Sequence, residues 1–162
     1  MMPEQKPGRS IQIVQTPPEL IHAVRALLGV EAFSVDLAAT EDNRQAPLWM
    51  GPGSLIPDAL AVAWEGLPGW TWLNPPYADI APWLSQAARA GAAGCRVAAL
   101  VPASVGANWW TEHVHGKARA LALSPRVTFV GHDHPFPKDL ALLLYDRAGG
   151  CGIQPWRWDA VR

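Results

Sequence analysis

Hydrophobic positions along the chain fall into alternating helical and strand-like periods. Leu20, Ile21, Val24, Leu27 and Leu28 recur at helical spacing, and Gly29 ends the run. Thr16-Pro17-Pro18-Glu19 opens that helix, with Thr16 as the capping hydroxyl, Pro17 at the first helical position and Glu19 as the capping-box acid. Phe33-Ser-Val-Asp-Leu37 alternates like a short strand finishing at an acid, whereas residues 38–68 read mostly as loop with short helical turns. Trp70-Thr-Trp-Leu73 predicts a second strand running directly into Asn74-Pro75-Pro76-Tyr77. An Ala-rich helix is expected over 82–93, stopped by Gly94, then a nearly continuous apolar strand over 96–101 and a short helix over 108–115. Three β-like runs follow, at 118–123, 127–130 and 140–145. Strands alternating with helices predict an α/β sheet with helices on both faces. Ligands of such sheets sit at the carboxyl ends of strands, where Asp36 and Asn74 both fall.

The polar stretch 1–14 predicts a flexible N-terminal arm, and residues 15–162 a single domain. With 49% hydrophobic and 17% charged residues, the composition excludes intrinsic disorder. No apolar run reaches the ~18 residues of a membrane span, and the N-terminus has no apolar signal core. Cys95 and Cys151 stand far apart, outside any metal or redox motif, so a reduced cytoplasmic setting is expected. The formal net charge of −1 leaves no global basic footprint for nucleic acid. Charge is nevertheless segregated. Glu31, Asp36, Glu41, Asp42, Asp58 and Glu65 stand against Arg44 alone, whereas Arg89, Arg96, Lys117, Arg119 and Arg126 stand against Glu112. Either this arrangement holds a cationic cofactor beside a polyanion or it is chance segregation of surface charge.

The strongest chemical signal is Asn74-Pro75-Pro76-Tyr77 at a strand end. An amine conjugated to a nucleobase ring is a poor nucleophile, because its lone pair is delocalised. The Asn74 side-chain oxygen and the Pro75 carbonyl can both accept from such an NH₂, and acceptors off the ring plane favour a pyramidal nitrogen. Consecutive prolines fix the backbone and remove competing donors. Tyr77 offers a face on which a flipped base stacks. The alternative is a proline-rich turn that merely closes a strand.

This motif after a strand is shared by amino-methyltransferases of the NPPY type. The wider pattern joins Thr16-Pro17, Phe33-x-x-Asp36-x-Ala38-Ala39, Asn43, Trp64 and Trp72-Leu73-Asn74-Pro75-Pro76-Tyr77. In this pattern the chain resembles the phage-type Dam-like DNA N6-adenine methyltransferases over roughly residues 12–146. The resemblance implies a Rossmann-like S-adenosylmethionine-dependent sheet and a DNA substrate. It also implies a phage or prophage protein of bacterial cytoplasm, of the kind that serves DNA modification and restriction–modification. By that resemblance Asn74, Pro75, Pro76 and Tyr77 are the catalytic turn, and Thr16, Pro17, Asp36, Ala38 and Asn43 hold S-adenosylmethionine. Asp36 as a strand-end acid pairing with a surface base is the alternative.

Two departures stand out. The loop after the first strand, residues 36–43, has no glycine, and the spacing from Asp36 to Asn74 leaves little room for a target-recognition domain. A homodimer would supply the missing recognition surface. Asp58 and Glu65 are the candidate ribose acids in that short segment. His113-x-His115 and His132-Asp133-His134 lack the spacing of a metal site, so no metal is expected. The stretch 132–137 reads as a polar loop at the mouth of the site, with His134, Lys138 or Arg126 as candidate phosphate contacts. Trp109-Trp110 cannot share one helical direction, so one of them either packs at a helix end or is exposed for stacking. Neither a nucleophile elbow nor a phosphate-binding glycine loop occurs. The same acceptor pair also suits cytosine N4, RNA adenine or a protein glutamine amide, and a silent nucleic-acid-binding accessory protein is the rival outside enzymes.

Overall fold

Helix α1, Pro18–Leu28, starts one residue later than its spacing predicts in the computed structural model, which describes residues 15–160. The expected N-terminal arm, 1–14, lies outside the described residues. Pro17 is the extended N-cap, and Pro18 occupies the first turn, where no N–H is required. The capping-box expectation fails at Thr16. No side chain caps α1, and the buried Thr16 hydroxyl instead receives a hydrogen bond from Asn74. Gly29, at φ 68°, closes the helix in the left-handed conformation.

Seven strands form one sheet: β1 (Val35–Asp36), β2 (Leu48–Trp49), β3 (Trp70–Leu73), β4 (Arg96–Pro102), β5 (Ala118–Ser124), β6 (Leu140–Tyr145) and β7 (Ile153–Arg157). Their order is β2-β1-β3-β4-β6-β5-β7. Strands β1 to β4 are mutually parallel, β6 runs against both β4 and β5, and β7 lies parallel to β5. The carboxyl ends of β1–β5 and β7 therefore share one pole. The chain leaves β1 for β2 on one side and returns to place β3 on the other, so the strand order reverses between β1 and β3.

Helices cover both faces. On one, Leu20, Ile21 and Val24 of α1 pack against Trp72, Ala98, Leu100 and Leu142. On the other, helix α2 (Ala81–Ala92) and helix α3 (Asn108–His113) pack against Leu73, Val97, Ala99 and Leu143. Residues 97–101 are buried on both faces, the physical reason for their unbroken apolar run.

The expected strand at 127–130 is a loop. Its alternation arises because Val127 and Phe129 plug the core from outside the sheet, while Val130 remains exposed. Pro125, following β5, has no N–H to extend the ladder. Strands β2 and β7 were not legible: β2 has two residues, and β7 is an exposed edge with Pro155 inside it. The basic segment is divided: Arg89 pairs with Glu65 of the acidic segment and Arg126 follows β5 at the carboxyl pole, whereas its other three bases lie elsewhere. Arg96, Lys117 and Arg119 lie at the amino ends of β4 and β5, and the seven residues of β4 alone span about 20 Å. No helix among the described residues is long and apolar enough to cross a membrane.

Candidate active site

Asp36 and Asn74 meet at the strand-order reversal. Asp36 is in register with Trp72, and the Leu37 amide donates to the Trp72 carbonyl at 2.9 Å. Asn74 thus lies two residues further along the neighbouring strand direction, a rise of about 7 Å. In open α/β sheets this crevice is where ligands bind.

The Asp36 carboxylate is buried at 2% exposure. Its Oδ1 accepts from the Ala38 amide at 3.2 Å and its Oδ2 from the Gln45 amide at 2.8 Å. Burial raises its pKa from 3.8 to about 6, and the two amides oppose that rise only in part. Among the described residues no cationic side chain pairs with it, so the surface ion-pair alternative is not realised.

The loop leaving Asp36 folds back on itself. The Thr40 amide donates to Asn43 Oδ1 at 2.7 Å, and Gln45 Nε2 donates to the Asn43 carbonyl at 3.3 Å. Arg25 of α1 lies over the Phe33 ring and donates to the Gln45 carbonyl at 3.3 Å, bracing the residue whose amide faces Asp36. Gly51 explains how a loop without glycine can close. A Cβ there would stand 1.9 Å from the Ala39 carbonyl oxygen, so the chain after β2 supplies the close approach. The Ala39 amide meanwhile donates to the Met50 carbonyl, and the Met50 amide to the Asp36 carbonyl, at 2.9 and 2.8 Å. Gly51→Ala is expected to destabilise the fold by about 1–3 kcal/mol, since backbone must shift and φ is 146°. Urea unfolding monitored by tryptophan fluorescence checks this.

The turn after β3 is equally constrained. Pro75 is buried, and Pro76 is extended at φ −60° and ψ 125° ahead of a 3-10 turn, Tyr77–Asp79. The Tyr77 hydroxyl lies 3.0 Å from Asn74 Oδ1 and 3.2 Å from the Leu100 carbonyl, two acceptors for its one proton. Burial pushes this phenol well above its ordinary pKa, so it remains a donor. Asn74 Nδ2 donates to Thr16 Oγ1 at 3.4 Å, and Pro17 is buried beside it. The carboxamide is therefore oriented from both ends, with Oδ1 retaining a second lone pair.

Phe136 stands edge-on to the Tyr77 ring, 6.1 Å between centroids, and edge-on to Phe129 at 5.6 Å. Sequence reasoning missed Phe136, Gln45, Gly51 and Arg25, because each acts across a distance in sequence that no periodicity marks. Asp58 caps the 3-10 turn Ala59–Ala61 through the Leu60 amide at 3.0 Å, and Glu65 pairs with Arg89 at 2.9 Å, so each ribose candidate has a local partner. Trp110 is core and Trp109 packs half-buried against the same cluster, their rings 5.7 Å apart. Among the described residues no three His, Cys, Asp or Glu side chains converge.

A buried carboxylate with no counter-ion among the described residues and an oriented carboxamide-proline turn, held at neighbouring strand ends, can chemically accommodate a cation beside an amine. No curated protein and no solved structure matches the chain. A family model described as DNA N-6-adenine-methyltransferase (Dam) matches residues 6–139, which include every residue of this site. With most of its length matched, the chain belongs to the DNA N-6-adenine-methyltransferase (Dam) family, enzymes that methylate N6 of adenine in DNA.

Proposed function

We propose that the methyl donor is S-adenosylmethionine, received on the Asp36 side of the crevice, and that Asn74, Pro75, Pro76 and Tyr77 receive the target adenine. The observation carrying this reading is the placement of Asp36 and Asn74 on either side of the strand-order reversal. The order β2-β1-β3-β4, all parallel with helices on both faces, supports a Rossmann-like methyltransferase sheet.

The residues fit the donor on one observation in particular. Asp36 is buried, ionisable and lacks a cationic partner among the described residues, so a cationic group beside it would offset its desolvation. S-adenosylmethionine, when bound, supplies an electrophilic methyl group on a sulfonium and a cationic amine. Ala38 and Gln45 aim the carboxylate, Asn43 closes its loop, and Thr16 with Pro17 borders the same crevice.

Asn74 Oδ1 and the Pro75 carbonyl accept the two protons of the adenine amine and draw its lone pair out of conjugation. The fixed Pro75-Pro76 backbone holds the second acceptor without a rival donor. The Tyr77 ring carries the flipped base, and its hydroxyl orients Asn74. With the donor bound, the amine nitrogen would take the methyl group directly as the sulfonium S–C bond breaks to leave a neutral thioether, and solvent would take the proton released from the amine. A place in phage or prophage DNA modification rests on the sequence resemblance.

Incubation with isotopically labelled S-adenosylmethionine and unmethylated plasmid DNA, followed by nucleoside mass spectrometry, tests this reading. Labelled N6-methyladenine is expected; N4-methylcytosine or label in protein overturns it. Tyr77→Phe should lower kcat about tenfold, the worth of one lost hydrogen bond on Asn74, with cofactor affinity unchanged. Tyr77→Ala should cost more, because the stacking face is lost as well.

A further inference from the structure

We infer that the loop joining β5 to β6, residues 125–139, reads the DNA beside the flipped adenine, with Val130, His132 and His134 as its contact residues. It lies at the carboxyl pole, the pole of Asn74. At this length a connection without secondary structure of its own is uncommon and usually functional. The inference rests on the reading of Asn74–Tyr77 as the base-receiving turn.

Two ties mount the loop on that turn. Phe136 packs edge-on against Tyr77, and the Val130 amide donates at 3.1 Å to the carbonyl of Gln15, the residue before the Thr16 that holds Asn74. The base of the loop is closed. Arg126 pairs with Asp139 at 3.0 Å, the Phe136 amide donates to the Val127 carbonyl at 2.7 Å, and Val127 and Phe129 are buried. The tip is the opposite. His132, Asp133 and His134 are exposed, none of their side chains has a hydrogen bond or ion pair among the described residues, and Val130 is 46% exposed.

A braced loop with an unpartnered tip is suited to an external ligand, and the tip chemistry fits a nucleic acid. Imidazoles donate and accept at base edges and donate to phosphates, while an exposed apolar side chain contacts a thymine methyl or a base step. Lys138, exposed at the same loop, adds a phosphate contact. A cleft of about 570 Å³ lies between tip and anchors, lined by Phe129, His132, His134 and Phe136 among others. The alternative basic surface, Arg96 with Lys117 and Arg119, is at the wrong pole for a duplex engaged by Asn74.

Two variants test the inference: His132→Ala/His134→Ala together, and Val130→Ser alone. All three side chains are exposed, so thermal midpoints and S-adenosylmethionine affinity should remain near wild type. Fluorescence anisotropy on a labelled, unmethylated duplex should show the double variant binding about tenfold more weakly, and KM for plasmid DNA should rise in parallel with kcat retained. Val130→Ser should change the bases flanking methylated adenines, as mapped by sequencing of the modified plasmid. Wild-type duplex affinity in the double variant together with unchanged flanking bases in Val130→Ser overturns the inference. Because duplex affinity is measured without transfer, wild-type transfer by Asn74→Ala would overturn the catalytic-turn reading separately.

Discussion

Asn74→Ala is expected to lower kcat for adenine methylation by about 10²–10³-fold while S-adenosylmethionine affinity stays within a few-fold. On the proposed reading the carboxamide oxygen is the acceptor that the reacting amine meets, and its contribution grows as positive charge develops on nitrogen. Removing an oriented dipole of this kind costs catalysis far more than ground-state binding. Asn74 and Asp36 share no hydrogen-bond partner among the described residues, since Asn74 bonds to Thr16 and Tyr77 whereas Asp36 bonds to Ala38 and Gln45, so the main charge contact of the cofactor side is left intact. Asn74→Asp keeps an acceptor but gives up donation to Thr16, so it should retain more transfer than alanine. Single-turnover transfer to plasmid DNA, beside calorimetric titration of the cofactor, reads both quantities. An equal loss of transfer and cofactor affinity would show Asn74 to be a structural or cofactor contact instead.

Asp36→Ala is expected to raise the dissociation constant for S-adenosylmethionine about 100-fold or more, as when one partner of a buried charge-assisted pair is removed. The wild-type carboxyl also makes a pH signature. Its pKa is about 6 in the fold against 3.8 unfolded, so between these values the folded chain binds the extra proton. Stability of the ligand-free protein therefore falls as pH rises from about 4 to 6, by roughly 3 kcal/mol in total, and levels off above. A cation bound at Asp36 favours the ionised form, so cofactor affinity should instead rise through the same window and level off above pH 7. Thermal shift on cofactor addition should consequently be larger at pH 8 than at pH 5, and Asp36→Ala should abolish that difference. An unchanged pH profile in Asp36→Ala would remove this carboxylate from the cofactor side.

Several elements of the fold are legible in the sequence alone. Residues 96–101 announce a strand covered on both faces, because only side chains shielded on both sides of a sheet can all be apolar. Leu20 to Leu28 announce an amphipathic helix for the complementary reason. Asn74-Pro75-Pro76-Tyr77 is legible as a constrained turn, since rigid prolines after a strand leave few other conformations. The 127–130 run misled because two plugs into a core from a loop have the same period as a strand. Strand β7 was invisible because an exposed edge has no buried face to impose alternation.

Local sequence, then, determined the helices, the central strands, the proline turn after β3 and the family, because each depends on neighbours within a few residues whose spacing is written directly in the chain. Tertiary structure alone decided what surrounds them. It turned Thr16 from a helix cap into a partner of Asn74, placed Gly51 against Ala39, buried Asp36 with no counter-ion among the described residues, set Phe136 beside Tyr77, and carried Arg96, Lys117 and Arg119 to the far pole. These are contacts between segments remote in sequence, and their geometry follows from strand order and register, which no local pattern encodes.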